Sequence, residues 1–240
     1  MPRDPRIVWI TGAGTGIGRA LALEYARRGE MVLAAGRTPG RLDDLRRSMA
    51  DERLTCETAV CDVRDEASVR HVAEEVLNRH GRVDVLVNNA GVTYFRDFLD
   101  TTTEQFDHVV STNLRGLFLT TRSVLPAMIR SGRGMVVNIL SFAAKAVYTG
   151  SSAYAASKAG AETMMNVVRA EVREKGIHIV NVYPGAVRTP IWHPKHQQRY
   201  GERMLAPEVV ANAVCDLTMQ PDSVMIEELI LRPQMGDLQV

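Results

Sequence analysis

Seven short runs of aliphatic and β-branched residues, separated by longer stretches of helical periodicity, restrict this 240-residue chain more than any other feature. The runs are Ile7-Thr11, Met31-Ala35, Thr55-Val60, Val83-Asn88, Gly134-Leu140, His178-Val182 and Met225-Leu231. Most are nearly continuous rather than alternating, so each strand must be buried on both faces. That is the condition of a parallel sheet covered by helices above and below. Helical periodicity falls between the runs, at Ile17-Arg28, Arg41-Asp51, Glu66-Arg79, Glu104-Ile129, Ser152-Lys175 and Pro207-Met219. In the fourth of these, Phe106, Val109, Val110, Leu114 and Leu117 form one apolar stripe with a single polar residue, Asn113, inside it. No repeat, low-complexity tract or linker composition interrupts the pattern, so the expectation is an α/β chain forming one domain over residues 1–240. The one long polar stretch without such periodicity, Thr189 to Leu205, reads as a lid or binding loop.

Composition narrows the partners. Twenty-nine basic against 28 acidic residues give a net charge of +1, which provides no broad attraction to nucleic acid or anionic lipid. No apolar stretch approaches the length of a membrane span, and Met1 to Arg6 carries no apolar secretory core, so neither a membrane partner nor secretion is expected. Cys56, Cys61 and Cys215 are odd in number and lack C-x-x-C spacing, which argues against a disulfide framework or a zinc ribbon. A reducing, cytoplasmic location is the expectation. His193 and His196 flank Pro194 and Lys195, but no cysteine or carboxylate nearby completes a ligand set, so no metal site is expected.

Directly after the first run comes Thr11-Gly12-Ala13-Gly14-Thr15-Gly16-Ile17-Gly18, which opens the first helix. Glycines here allow a tight turn, let the backbone approach a pyrophosphate, and aim the amides and dipole of a helix N-terminus at it. The pattern is G-x-x-x-G-x-G on Gly12, Gly16 and Gly18 rather than G-x-G-x-x-G, since Ile17 stands where the third glycine would be. A second signal is Tyr154-Ala155-Ala156-Ser157-Lys158, which puts a phenol and an ammonium one helical turn apart. A third is Ser141, thirteen residues earlier, at the end of the fifth run. Strand carboxyl ends line the crevice where doubly wound sheets bind ligands, so all three signals converge there.

With these motifs the sequence resembles the short-chain dehydrogenase/reductase family, and the resemblance extends over essentially the whole chain. Asn88-Asn89-Ala90-Gly91 after the fourth run, Asn113 in the following helix, and Pro184-Gly185 with Thr189 after the sixth are further matching pieces. The resemblance implies a single-domain, doubly wound, Rossmann-like fold with a seven-stranded parallel sheet. It also implies a nicotinamide cofactor, and hydride transfer between that cofactor and a small-molecule carbonyl or alcohol. Cofactor contacts are then expected at Gly12, Gly14, Thr15, Gly16, Ile17, Gly18, Arg37, Thr38, Asp62, Val63, Asn88, Ala90, Gly91, Tyr154, Lys158, Pro184, Gly185, Val187 and Thr189.

Carbonyl reduction needs a proton as well as a hydride, and a free phenol with a pKa of about 10 is a sluggish acid near neutrality. An ammonium about 4 Å away, at an effective dielectric near 20, is worth about 4 kcal/mol, or about three pKa units. On that reasoning Lys158 brings Tyr154 towards neutrality, and the resemblance adds that it holds the nicotinamide ribose. Ser141 would hydrogen-bond the substrate oxygen. The resemblance gives Asn113 a bound water that links Lys158 to solvent. It also builds the substrate pocket from Phe142, Ala143, Val147 and Tyr148, then Val92, Thr93 and Tyr94, then Ile191 and Trp192. Such a lining suits an uncharged or weakly polar ketone or aldehyde, although Lys195, Arg199 and Arg203 in the lid leave room for an acidic substituent.

The cofactor expectation is NADP(H). NAD-binding relatives carry an acidic residue about twenty positions beyond the glycine turn, where this chain has Gly36 followed by Arg37 and Thr38. A guanidinium there grips a 2′-phosphate. The alternatives are an NAD(H)-linked alcohol dehydrogenase on the same fold and a non-redox cofactor sensor. Helices apolar on more than one side, at Leu117 and Phe118 and at Met164, Met165, Val167 and Val168, suggest a homodimer or homotetramer.

Overall fold

A computed structural model describes residues 4–238. The seven strands are β1 (Ile7–Thr11), β2 (Met31–Gly36), β3 (Glu57–Val60), β4 (Val85–Asn88), β5 (Gly134–Ile139), β6 (Ile177–Pro184) and β7 (Glu228–Leu231). They form one parallel sheet in the order β3-β2-β1-β4-β5-β6-β7. The order reverses between β1 and β4, and that switch point opens a crevice at the strand carboxyl ends.

The sheet separates two apolar layers. Val8 and Ile10 of β1 pack with Leu21 and Tyr25 of α1 (Gly16–Arg27), Leu45 of α2 (Pro39–Asp51) and Val214 of α8 (Pro207–Thr218). Ile7 and Trp9, one residue out of phase, pack on the opposite face with Val72 of α3 (Glu66–His80), Val124 of α5 (Gly116–Ser131) and Met165 of α6 (Ser152–Val172). Successive strand residues point to opposite faces, so burial of both faces requires the near-continuous apolar runs seen in the sequence. The edge strands β3 and β7, and the central strand β4, are each shorter at the N-terminal end than their apolar runs.

Two helical segments depart from expectation. Glu104-Ile129 is not one regular helix. It comprises α4 (Thr103–Val110), a π turn over Ser111–Arg115, and α5. The hydroxyls of Ser111 and Thr112 both donate to the His108 carbonyl (3.1 and 2.8 Å), while the Gly116 amide reaches back to Ser111. Hydroxyls that compete for i−3 and i−4 carbonyls loosen the helical ladder, and the wider turn moves Asn113 into the interior. The stretch from Thr189 to Leu205 is not irregular throughout either. It contains α7 (Pro194–Tyr200), started by Pro194 with His193 Nδ1 accepting from the Lys195 amide (3.2 Å), and a short 3₁₀ turn over Gly201–Arg203.

A row of asparagines crosses the sheet interior. Asn88, Asn138 and Asn181 lie side by side in register on β4, β5 and β6. Asn88 Nδ2 donates to Asn138 Oδ1 (3.0 Å), Asn138 Nδ2 to Asn181 Oδ1 (2.9 Å), and Asn181 Nδ2 to Asn166 Oδ1 on α6 (3.0 Å). Arg169 closes one end by donating to the same Asn166 oxygen, and the Thr120 hydroxyl closes the other by donating to Asn88 Oδ1. Buried amides left without partners would cost stability, and here every side-chain oxygen is satisfied.

Candidate active site

A cavity of about 800 Å³ lies at the switch point, over the carboxyl ends of β1, β2, β4, β5 and β6. At one end, Gly12, Gly14, Thr15, Gly16 and Ile17 form its floor as they lead into α1. Gly12 sits at φ +66°, and a Cβ there would lie 2.9 Å from the Ala90 Cα, so only glycine fits this turn. Asn89 staples the turn to the β4 loop by donating to the carbonyls of Thr11 (2.9 Å) and Gly12 (3.1 Å). Thr11 Oγ1 in turn accepts from the amides of Asn89 and Ala90. The N-terminus of α1 has no side-chain cap and no acidic residue in its first turn. Its free amides and positive dipole face the cavity, as a pyrophosphate requires.

Gly36, Arg37, Thr38 and Val63 line the same end, together with Arg41 from the first turn of α2 and Cys61, whose thiol burial pushes up to about 11. Ala90, Gly91, Pro184, Gly185, Val187 and Thr189 line the middle. At the other end stand Thr93, Phe142, Ala143, Tyr148, Ile191 and Trp192; Val147 is 96% exposed and belongs to the rim.

Ser141, Tyr154 and Lys158 meet at the centre. Ser141 ends the β5 segment in extended conformation and caps a short 3₁₀ turn, Phe142–Ala144, by accepting from the Ala143 amide (3.1 Å). Tyr154 and Lys158 come from the first two turns of α6. Burial holds the Tyr154 phenol above its ordinary pKa, opposed by a side-chain hydrogen bond with Ser141. Burial also brings Lys158 down to about 8. This corrects the expected tuning of the phenol. The Lys158 ammonium donates to the Ile139 carbonyl (2.8 Å) and lies 5.7 Å from the Tyr154 ring centroid, and burial leaves the phenol above rather than below its ordinary value. The depressed pKa belongs to the lysine instead.

Five expected residues lie off the cavity wall. Gly18 lies behind it, where a Cβ would collide with Asn89 Nδ2 and the Gly12 carbonyl. The Asp62 carboxylate is held by Arg64, which keeps its pKa below the usual range, and Asn88 belongs to the asparagine row. Tyr94 turns outward to His108 Nδ1 (2.8 Å), and its neighbour Phe95 takes the place on the wall, stacked on Trp192 at 4.9 Å. Asn113 is buried and bridges two elements: its amide accepts from the Val92 N–H (2.8 Å) and donates to the Val92 carbonyl (2.9 Å) and to Ser157 Oγ (3.0 Å). It thereby fixes the β4 loop against α6.

Sequence reasoning missed Arg41, Asn89, Phe95, Asp237 and Leu238 on the wall. Asn89 and Phe95 flank residues that were expected, and were legible as neighbours of a strand end. Asp237 and Leu238 arrive from the far end of the chain. Arg232 holds Asp237 (2.7 Å) and stacks over Phe142 at 4.3 Å, and Asp237 hydrogen-bonds Tyr148. Lys195, Arg199 and Arg203 do not line the cavity, so among the described residues Asp237 is the charge presented at this end. Among the described residues no three metal-ligating side chains cluster, and no helix is long and apolar enough to cross a membrane.

Comparison with known proteins agrees with this geometry. The family model described as short chain dehydrogenase matches residues 6–200. A sepiapterin reductase from Chlorobaculum tepidum is 37% identical over 97% of this chain and 98% of its own length. A metagenomic short-chain oxidoreductase solved in complex with NADP superposes with a TM-score of 0.84 at 31% identity, covering 95% of this chain and 97% of that one. An alcohol dehydrogenase from Thermococcus sibiricus, complexed with 5-hydroxy-NADP, superposes with a TM-score of 0.88 at 28% identity, covering 99% and 100%.

Proposed function

Because the chain belongs to the short-chain dehydrogenase/reductase family, we propose that it is an NADP(H)-dependent oxidoreductase interconverting an uncharged ketone or aldehyde and its alcohol. The observation that carries this reading is the convergence of Ser141, Tyr154 and Lys158 on the cavity whose other end is the uncapped α1 N-terminus. The cofactor supplies the hydride. The α1 amides would hold its pyrophosphate, and Arg37 and Arg41, both on the wall beside Gly36, would take a 2′-phosphate that a carboxylate at that place would repel. NADP-bound neighbours of similar fold support the choice of cofactor.

Tyr154 donates its proton to the substrate oxygen as charge develops there, and Ser141 donates a hydrogen bond to the same oxygen. Lys158, whose pKa burial lowers to about 8, is the nearby acid that would return a proton to the phenol after transfer. The substrate end is apolar and aromatic at Phe95, Phe142 and Trp192, and its one charged wall residue is acidic. Asp237 is paired with Arg232, so this end carries little net charge and suits an uncharged substrate. The segment 189–205 serves as the lid, with Trp192 excluding water. Phe118 and Val167, 42% and 54% exposed on α5 and α6, are the surfaces we assign to a homo-oligomer, which light scattering tests.

The deciding experiment is a panel of carbonyls (benzil, cyclohexanone, sepiapterin and anionic levulinate) assayed with NADPH and NADH. Reduction of a neutral member with NADPH preferred, lost by at least about a hundredfold in Tyr154→Phe while NADPH still binds, is the expected result. Full turnover in Tyr154→Phe refutes the assignment.

A further inference from the structure

Ser141 and Tyr154 must be held at a fixed separation, yet they come from different elements. Ser141 stands at the start of the 3₁₀ turn Phe142–Ala144, and Tyr154 stands on α6. The turn is internally rigid: the Ala144 amide donates to the Ser141 carbonyl (3.0 Å), and the amides of Lys145 and Ala146 donate to the Phe142 carbonyl (2.9 and 3.0 Å). Its internal bonds do not say where it sits against the helix.

Lys145, which ends the turn, supplies that link. Its ammonium donates to Glu162 Oε1 (2.9 Å), one turn beyond Lys158 on α6, and lies 3.1 Å from Glu228 Oε2 on β7. It also sits over the Tyr183 ring of β6, 4.2 Å from the centroid, and the Tyr183 hydroxyl donates to Glu228 Oε1 (3.1 Å). One cation therefore draws β6, β7 and α6 onto the end of the turn. Its side chain is only 26% exposed and that of Glu162 17%, so the pair is screened less than a surface bridge. At the other end of the turn Phe142 is clamped by Arg232. None of these groups lines the cavity except Phe142, and the Lys145 ammonium is engaged by Glu162, Glu228 and Tyr183 rather than by Ser141 or Tyr154.

We propose that Lys145 is a positioning residue, pinning the Ser141 turn to the helix that carries Tyr154 and Lys158. The proposal rests on the carbonyl-reductase reading for its kinetic consequence, though not for the pin itself. Misplacement of a reacting group by about 1 Å can cost up to about a hundredfold in rate, whereas the glycine turn, the α1 N-terminus, Arg37 and Arg41 at the phosphate end of the cavity come from elements that Lys145 does not touch. The effect of losing Lys145 therefore falls on kcat.

The test uses the full chain with NADPH and benzil. In Lys145→Met, kcat falls about tenfold or more, while the KM for benzil and the NADPH dissociation constant, read by fluorescence titration, stay within about twofold. Lys145→Arg, which keeps the cation, recovers at least half of the lost kcat. Hydrogen exchange of the amides of Ala143 to Ala146 accelerates in Lys145→Met and returns to the wild-type rate in Lys145→Arg. That readout needs no activity, so it decides the pin even where the wild type fails to reduce benzil, a failure that counts against the proposed reaction alone. Should Lys145→Met not fold, Glu162→Gln removes the α6 end of the link, and the same kcat loss and faster exchange are expected. Unchanged exchange at these amides overturns the proposal. So does an unchanged kcat in an active enzyme, a loss shared equally by NADPH affinity, or failure of the arginine variant to rescue.

Discussion

Lys158→Met should make this protein more stable at neutral pH while destroying its activity. The side chain is 5% exposed, and burial lowers its pKa from 10.5 to about 8. A shift of that size corresponds to a cost of about 3 kcal/mol for keeping the ammonium in the fold, since one unit is worth about 1.4 kcal/mol. Against this stands the hydrogen bond to the Ile139 carbonyl, worth about 1 kcal/mol because that carbonyl lies at the cavity and water can replace the donor. The net gain is about 2 kcal/mol, or a rise in Tm of about 5 °C for a chain of this size. Its pH dependence has a definite sign. Below pH 8 the lysine is charged in both folded and unfolded chains, and the cost is fully present. Between pH 8 and 10.5 the unfolded chain holds the proton and the folded chain does not, so wild-type stability climbs and the advantage of methionine shrinks. Calorimetric scans of both proteins at about pH 6.5 and 9.5 measure this difference directly. A lower Tm for the variant at the acid end, or a difference that does not change with pH, would refute burial of the ammonium as the cause. Carbonyl reduction and NADPH binding, measured on the same samples, should both collapse, the pattern of a group retained for function at the expense of the fold.

Arg37→Ala should weaken NADPH binding by about tenfold or more and leave NADH binding nearly unchanged, as parallel titrations would show; equal effects on the two cofactors would remove the arginine from the phosphate site. Trp192→Ala breaks the stack with Phe95 and should raise hydrogen exchange across 189–205 in the presence of NADPH; exchange identical to wild type would mean that the stack does not hold the lid. Asn138→Leu orphans the oxygen of Asn181 and one donor position of Asn88, and should cost about 2 to 4 kcal/mol in urea unfolding; a loss below about 1 kcal/mol would contradict a tight amide row.

The seven apolar runs foreshadowed the sheet because burial on both faces leaves a strand no polar positions, and that demand is local. The glycine turn and the Tyr154/Lys158 pair were legible for a similar reason: each is a set of residues one turn or one strand end apart. What escaped the sequence depended on side-chain direction or on distant chain. The phenol-tuning argument took the Lys158 ammonium to face Tyr154, whereas the Ile139 carbonyl, nineteen residues away, claims it. The π turn hinges on two hydroxyls choosing one carbonyl, a competition that periodicity does not register. Helix α7 carries no buried residue and hence no apolar stripe; only Pro194 at its start marked it. Arg41 reaches the wall because α2 begins directly beneath the glycine turn, and Asp237 because the chain folds back after β7. Neither has a local signature.

The asparagine row has a direction. Each of the three strand amides donates towards α6, so its oxygen always faces the donor before it. Rotating any one amide by half a turn would set oxygen against oxygen on one side and hydrogen against hydrogen on the other. Nor can the whole row turn, because Arg169 can only donate and so fixes the oxygen of Asn166 and, through it, the direction of every member. The same logic governs inheritance. A single change to aspartate or leucine strands its neighbours, whereas replacing Asn88, Asn138 and Asn181 together by apolar residues removes donors and acceptors in equal number, a far smaller penalty than the three separate losses suggest. These positions should thus vary as a block or not at all, a linkage written into the sheet beneath the active site and indifferent to which substrate the loops above it accept.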